Sequence, residues 1–239
     1  METKLEVSVI SPVFNERENL KTFVDAVAEV MRSTGMSWEL IIVDDGSDDG
    51  SAEAIKELIN QENIRCLLLS KNYGQTTAIQ AGFDNAVGKY LVTLDSDMQN
   101  DPKDIPALLN KLIKEELDLV VGWRKNRKDN YFLRNLPSSI ANKLIGSITG
   151  VKLHDYGCSL KAYRADVLKE VRLYGEMHRF IPAWMATKIP ASKISELVVT
   201  HHPRIAGKSK YGISRTFRVF VDLISCLLYT SDAADEQQR

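Results

Sequence analysis

Lys89-Tyr90-Leu91-Val92-Thr93-Leu94-Asp95-Ser96-Asp97-Met98-Gln99 sets a short run of strand formers directly against two carboxylates and an amide. A run of this length and composition reads as a buried strand over Leu91 to Leu94, with Asp95 and Asp97 emerging at its carboxyl end. That end of an open α/β sheet is where ligands bind. Side chains two apart on an extended segment share a face, so both carboxylates can reach one cation. Hard oxygen donors with no His or Cys nearby suit Mg²⁺ or Mn²⁺. The competing reading of Asp-x-Asp is a cap for the following helix. A calcium loop starting at Asp95 fails, because its sixth and twelfth places hold Asn100 and Pro106. The acidic cluster from Asp45 to Gly50 fails likewise, with Lys56 in the twelfth place.

Outward from this stretch the chain alternates strand and helix. Val7 to Ser11 reads as a strand, and Leu20, Phe23, Val24, Val27 and Met31 form one stripe of the helix after it. Leu40 to Val43 is a second strand, running into Asp44-Asp45-Gly46-Ser47 and a helix that turns Ala54, Ile55, Leu58 and Ile59 inward. Cys66 to Leu69 is a third strand, Thr76 to Val87 a helix, and Leu117 to Val121 a fifth strand. Asp101-Pro102 opens the helix before that last strand, with proline near its first turn. Right-handed crossovers of this kind give an α/β fold, a doubly wound, mostly parallel sheet flanked by helices. Asn15 and Glu16, Asp44 and Asp45, and Asp95 and Asp97 then fall at three strand ends of one sheet. Asn15 alone reads as a helix cap, but three polar ends together point to a binding edge. The first turn, Ser11-Pro12-Val13-Phe14-Asn15-Glu16, lacks the Gly-x-Gly-x-x-Gly of a dinucleotide site.

With 239 residues, 44% of them apolar, the chain can bury a sizeable core, and a net charge of −1 singles out no partner. Cys66, Cys158 and Cys226 have no metal-ligand spacing, which fits a reducing compartment. The N-terminus lacks the basic start of a signal peptide, and no apolar run reaches the eighteen or so residues of a membrane span.

Five motifs in order give the chain a family likeness. They are Ser11-Pro12-Val13-Phe14-Asn15-Glu16, Val43-Asp44-Asp45-Gly46-Ser47, Asp95-Ser96-Asp97-Met98-Gln99, Gly157-Cys158-Ser159-Leu160-Lys161 and Gly207-Lys208-Ser209-Lys210-Tyr211-Gly212. From about residue 6 to about 224 the chain resembles the GT-A glycosyltransferases of family 2. Within them it is similar to the polyprenyl-phosphate sugar transferases of the dolichyl-phosphate mannosyltransferase type. The resemblance implies a GT-A, Rossmann-like domain over 1–212; residues 213–230 read as an amphipathic helix that is interfacial or packs on the domain, and 231–239 as a polar, truncated or foreign tail. It implies that Pro12, Phe14 and Glu16 line the nucleotide pocket and that Val43 and Asp45 hold the base. Asp95, Ser96, Asp97 and Gln99 would surround the diphosphate, with Asp95, Asp97 and Gln99 on a Mg²⁺ or Mn²⁺ ion. Arg204 and Lys210 would close over the donor, the small residues between them allowing a mobile loop.

Between Trp123 and Arg134 five basic residues face one acid, Asp129; from Lys188 to Arg218 seven face only Glu196. Such runs are often plain solvated loops. The resemblance instead makes Arg124, Arg134 and Ser138 the cradle of the acceptor phosphate. Arg suits that task through its planar fork of donors. Asp155 is open to three roles: general base for a hydroxyl acceptor, orienting the sugar, or supporting the fold. Met177-His178-Arg179-Phe180 reads as the start of a helix below the acceptor region, with Arg179 approaching a phosphate. His154, His178, His201 and His202 have no ligand spacing.

The function expected is a metal-dependent inverting transfer of a sugar from GDP-mannose or a UDP-hexose type of donor to a polyprenyl phosphate. The enzyme would sit in the cytoplasm, peripheral at the cytosolic membrane face, with no nucleic-acid partner; self-association is left open. One alternative is transfer to a saccharide hydroxyl with Asp155 as base. Another, from a different class, is a non-catalytic nucleotide-sugar sensor, from which loss of Gln99 or of the Arg204/Lys210 pair would be expected.

Overall fold

A computed structural model describes residues 5–59, 62–125, 145–147, 149–168, 171–173 and 175–204. Arg134, Ser138, Lys210 and the helix expected over 213–230 lie outside these residues.

The strands are β1 (Val7–Val13), β2 (Trp38–Asp44), β3 (Ile64–Leu68), β4 (Tyr90–Thr93), β5 (Leu119–Trp123), β6 (Lys161–Arg164) and β7 (Ile194–Val198). They form a 7-stranded sheet in the order β3-β2-β1-β4-β6-β5-β7. All run parallel except β6, which is antiparallel to both neighbours. β1 and β2 are buried along almost their whole length, as strands covered on both faces require. The four helices of the alternating region are α1 (Arg17–Thr34), α2 (Ser51–Leu58), α3 (Gln75–Asn85) and α4 (Ile105–Lys114). The stripe Leu20, Phe23, Val24, Val27 and Met31 on α1 is fully buried. Burial of such side chains is worth about 1.5–3 kcal/mol each before entropy is counted. Helix α3 lies so close to β1 that a Cβ on Gly82 would meet Ile10 Cγ2 at 2.3 Å.

Three expectations need correction. Ile59 is 42% exposed rather than inward, because α2 ends at Leu58 and only Ile55 and Leu58 of its apolar residues are buried. Helix α3 stops at Asn85, where Ala86 turns extended and Val87 is left exposed. Asn15 caps nothing. It takes the left-handed backbone (φ 52°), and its amide exchanges two hydrogen bonds with Asp48, Nδ2 to Oδ1 at 2.7 Å and Asp48 N to Oδ1 at 2.9 Å. Glu16 occupies the N-cap place of α1 and makes no side-chain cap. Asn tolerates that backbone region better than other side chains, so the residue serves as a clasp between the first two loops.

Strands β6 and β7 were not anticipated. β6 is four residues long and carries Lys161 and Arg164, so its sequence has neither length nor alternation to mark it. Its neighbours β4 and β5 decide its conformation by offering ladder partners on both sides.

Candidate active site

In the register of β1 and β2, Val13 stands opposite Asp44, so both strands end at one level. The loops leaving them are tied together. Asn15 N donates to Ser47 Oγ at 2.9 Å, Glu16 N to Ser51 Oγ at 3.1 Å and Arg17 N to Asp49 Oδ2 at 3.2 Å. The turn in β2's loop depends on Gly46, whose φ is 69° and whose missing Cβ would come within 2.3 Å of the Lys71 carbonyl carbon. Asp45 is buried, and its carboxylate accepts from Tyr73 N at 2.7 Å and Gly74 N at 2.9 Å. Burial raises its carboxyl pKa, and these two N–H groups oppose the rise. Asp45 thereby fixes the loop ahead of α3. Pro12 and Phe14 are half-buried beside it, and Val43 is fully buried.

On the other side of β1, Asp95 and Asp97 leave β4. Met98 takes a left-handed backbone (φ 59°), which turns the chain so that Gln99 N donates to Asp97 Oδ1 at 3.1 Å. Ser96 is buried between the two acids. Asp95 Oδ1 accepts from Gln75 Nε2 at 2.8 Å. Burial raises the Asp95 pKa, while Ser159 and the cations Lys161, Arg124 and Arg179 hold it back. Asp97 is pushed up to about 6, first by burial and then by the neighbouring Asp95 charge, against Gln99 N–H and Arg204. Two carboxylates that repel in a dry place favour any cation that enters between them.

The segment after β7 brings such a cation. Asn100 and His201 form an antiparallel bridge, and His202 N donates to Gln99 O at 2.7 Å. His202 Nε2 lies 3.1 Å from Asp101 Oδ2, and Thr200 N donates to Asp104 Oδ2 at 2.6 Å. This anchorage delivers Arg204 into the site. Its guanidinium donates to Glu16 Oε1 at 2.9 Å and to Asp97 Oδ2 at 2.7 Å, joining the ends of β1 and β4. Asn19 Nδ2 holds the other Glu16 oxygen at 2.7 Å.

The donor set suits a hard divalent ion. Asp95 and Asp97 supply two carboxylates, and Mg²⁺ or Mn²⁺ sites commonly add substrate phosphates to one or two such groups. No cluster of three His, Cys, Asp or Glu side chains with metal-ligand geometry occurs among the described residues. Gln99 is brought to the turn, where its backbone N–H is engaged by Asp97.

Farther along the sheet, Arg124 at the end of β5 faces Asp155. Its Nε and Nη2 donate to the two carboxylate oxygens at 2.7 and 2.9 Å, and its backbone N–H to Oδ2 at 3.3 Å. Both side chains are largely buried, at 11% and 14% exposure. His154 next door pairs with Glu196 and stacks on Trp123 with ring centroids 4.1 Å apart. Between the Asp95 and Arg124 clusters, β6 contributes Lys161. Its fully buried ammonium donates to Cys158 O, and burial pushes its pKa down to about 8. Cys158 is likewise buried, its thiol pushed up to about 11, which makes it a packing residue rather than a nucleophile. Met177–Arg179 is a single 3-10 turn leading into the short helix Ile181–Met185, close to the expected helix start. The turn sets His178 Nδ1 2.7 Å from Thr76 Oγ1.

Sequence reasoning missed Gln75 and Lys161 as neighbours of Asp95. Gln75 offered no signal, being the first residue of a helix. Nor did Lys161, which stands in a four-residue strand with a charge at each end.

Known proteins resemble this chain in sequence and in fold. The sequence profile described as glycosyl transferase family 2 matches residues 8–172. A dodecaprenyl-phosphate galacturonate synthase of Rhizobium johnstonii is 56% identical over 227 residues, 94% of this chain and 67% of that protein. An undecaprenyl-phosphate 4-deoxy-4-formamido-L-arabinose transferase of Pectobacterium atrosepticum is 40% identical, over 94% of this chain and 68% of its own length. Among solved structures, a glucosyl-3-phosphoglycerate synthase of Mycobacterium tuberculosis in complex with Mn²⁺, UDP and phosphoglyceric acid superposes with a TM-score of 0.70. It has 18% identity and covers 95% of this chain and 78% of that one. A mannosyltransferase of Pyrobaculum calidifontis with GDP-Man and Mn²⁺ gives 0.61 at 14% identity, over 98% and 74%. The likeness to these two is one of fold. By the family match and by its two curated relatives, the chain belongs to glycosyl transferase family 2.

Proposed function

We propose that the protein transfers a sugar from a nucleoside diphosphate to a polyprenyl phosphate. The single observation that carries this is the junction of β1 and β4, where one guanidinium, that of Arg204, bonds to both Glu16 and Asp97 next to Asp95. That arrangement supports a diphosphate-handling site, and the relative with 56% identity is named for a polyprenyl-phosphate sugar product. Galacturonate is therefore the first sugar to test.

Asp95 and Asp97, with Gln99, are the residues that would hold Mg²⁺ or Mn²⁺. Bound there, a divalent cation supplies neutralisation of the charge on the leaving diphosphate. Arg204 is placed to exchange its carboxylate partners for the diphosphate, with Lys210 as its expected companion. Pro12, Phe14, Glu16, Val43 and Asp45 shape the nucleotide side, Asp45 by fixing Tyr73 and Gly74 in the adjoining loop. Arg124 positions the acceptor phosphate, with Arg134 and Ser138 alongside. Asp155 grips the Arg124 fork on two nitrogens and so orients it. With both its oxygens engaged in this way, Asp155 is a positioning residue rather than the base a hydroxyl acceptor would need. A phosphate oxygen is already anionic, so the acceptor requires no proton removal. It attacks the anomeric carbon as the bond to the diphosphate oxygen breaks on the opposite face, inverting that centre.

Residues 1–212 are the catalytic domain in this proposal, and residues 213–230 an interfacial helix at the cytosolic membrane face. No helix among the described residues is long and apolar enough to cross a membrane. The test is incubation of the purified protein with a panel of labelled sugar nucleotides, Mn²⁺ and a short polyprenyl phosphate. Formation of an acid-labile lipid-linked sugar phosphate is expected. Transfer only to saccharide hydroxyls would replace this assignment.

A further inference from the structure

A narrow cleft opens beside Asp95, lined among others by Gln75, Ser159, Lys161, His178 and Arg179. Its volume is about 30 Å³. A single water needs about 10–15 Å³ on this measure, so the cleft admits one small group and not a sugar ring. Its charged lining is two cations and one carboxylate, Lys161 and Arg179 against Asp95. Asp95 is already served by Gln75 and Ser159. Arg179 Nε lies 3.8 Å from Glu176 Oε2, away from the cleft lining. Lys161 is 2% exposed, its ammonium bonds to Cys158 O, and among the described residues the carboxylates of Asp95 and Asp155 act on it without forming an ion pair within 4 Å. Burying an ammonium with one direct acceptor and no carboxylate in contact is costly, and a well-packed apolar side chain would serve the fold better. A charge kept at such a cost beside a reaction site points to an anion that arrives with substrate.

Resting on the function proposed above, we infer that Lys161 and Arg179 form an oxyanion subsite next to Asp95, separate from the diphosphate seat. It receives an anionic group of a substrate. Two groups share that chemistry: the carboxylate of a uronic acid donor, and the phosphate of the lipid acceptor. Either would sit beside the reacting carbon, because Asp95 borders both the cleft and the diphosphate site.

Titration calorimetry on the full chain with Mn²⁺ separates the sources. The ligands are UDP-galacturonic acid, UDP-galactose and citronellyl phosphate, against wild type, Lys161→Met and Arg179→Gln. Lys161→Met keeps the volume and should unfold no earlier than wild type, whereas a structural lysine would lower the midpoint. If that variant does not fold, Arg179→Gln, at a position 19% exposed, carries the test. Loss of a charged contact is expected to weaken the matching ligand about tenfold or more. Loss for UDP-galacturonic acid with UDP-galactose unchanged assigns the carboxylate. Loss for citronellyl phosphate with both donors unchanged assigns the phosphate. Unchanged affinities for all three, or equal losses for both UDP sugars alone, overturn the subsite. A wild type that binds no nucleotide sugar overturns the donor reading and this one with it.

Discussion

Replacing Asp97 by Asn should stabilise the cation-free protein at neutral pH, although it should destroy activity. The Asp97 carboxyl is raised from 3.8 to about 6, by burial and then by Asp95. The folded state therefore holds this proton more tightly than the unfolded chain does. Its contribution to stability is full below about pH 4 and is lost as pH rises through 6. Two units at 1.36 kcal/mol each make the loss about 3 kcal/mol by pH 7.5. Asn carries no charge and avoids it, but it has one oxygen where Asp97 uses two, for Gln99 N–H and Arg204. Losing one acceptor costs about 1 kcal/mol, which leaves a net gain of about 1–2 kcal/mol. In a chain of this length that is on the order of 2–8 °C in Tm. The assay is urea unfolding of both proteins in excess EDTA at pH 7.5 and pH 4.5. The gain should be present at the higher pH and nearly absent at the lower. A variant that is less stable at pH 7.5, or whose difference from wild type ignores pH, would refute the account of a strained carboxylate pair.

Because Asp155 grips Arg124 through two nitrogens, Asp155→Asn and Arg124→Ala should both raise the KM for the lipid phosphate, and the double variant should lose little more than Arg124→Ala. Additive losses in a double-mutant cycle, or the disappearance of an acid limb in the wild-type pH–rate profile, would restore Asp155 as a base. Gly46→Ala should cost about 2–5 kcal/mol in denaturant unfolding, combining left-handed backbone strain with the clash against Lys71. Gly35→Ala is its control, with the same φ of 69° and nothing within 4 Å, and should cost about 1–2 kcal/mol; equal losses would remove the clash from the argument.

The alternating α/β half of this protein and the three polar strand ends were legible in its residues. Both follow from local rules. Apolar runs such as Leu40 to Val43 and the stripe on α1 declare their period, and Asp44, Asp45, Asp95 and Asp97 lie directly at the ends of those runs. Parallel pairing then forces those ends onto one edge. The remaining features depend on contacts between distant parts of the chain. Asn15 became a clasp because Asp48, thirty-three residues on, met its amide. Arg204 reached Glu16 across 188 positions because β7's continuation is bridged to Asn100. Lys161 entered the interior because β4 and β5 gave its short strand ladder partners on both sides. In each case the energy comes from a partner far away in the chain, and a local pattern carries no trace of a partner that only folding supplies.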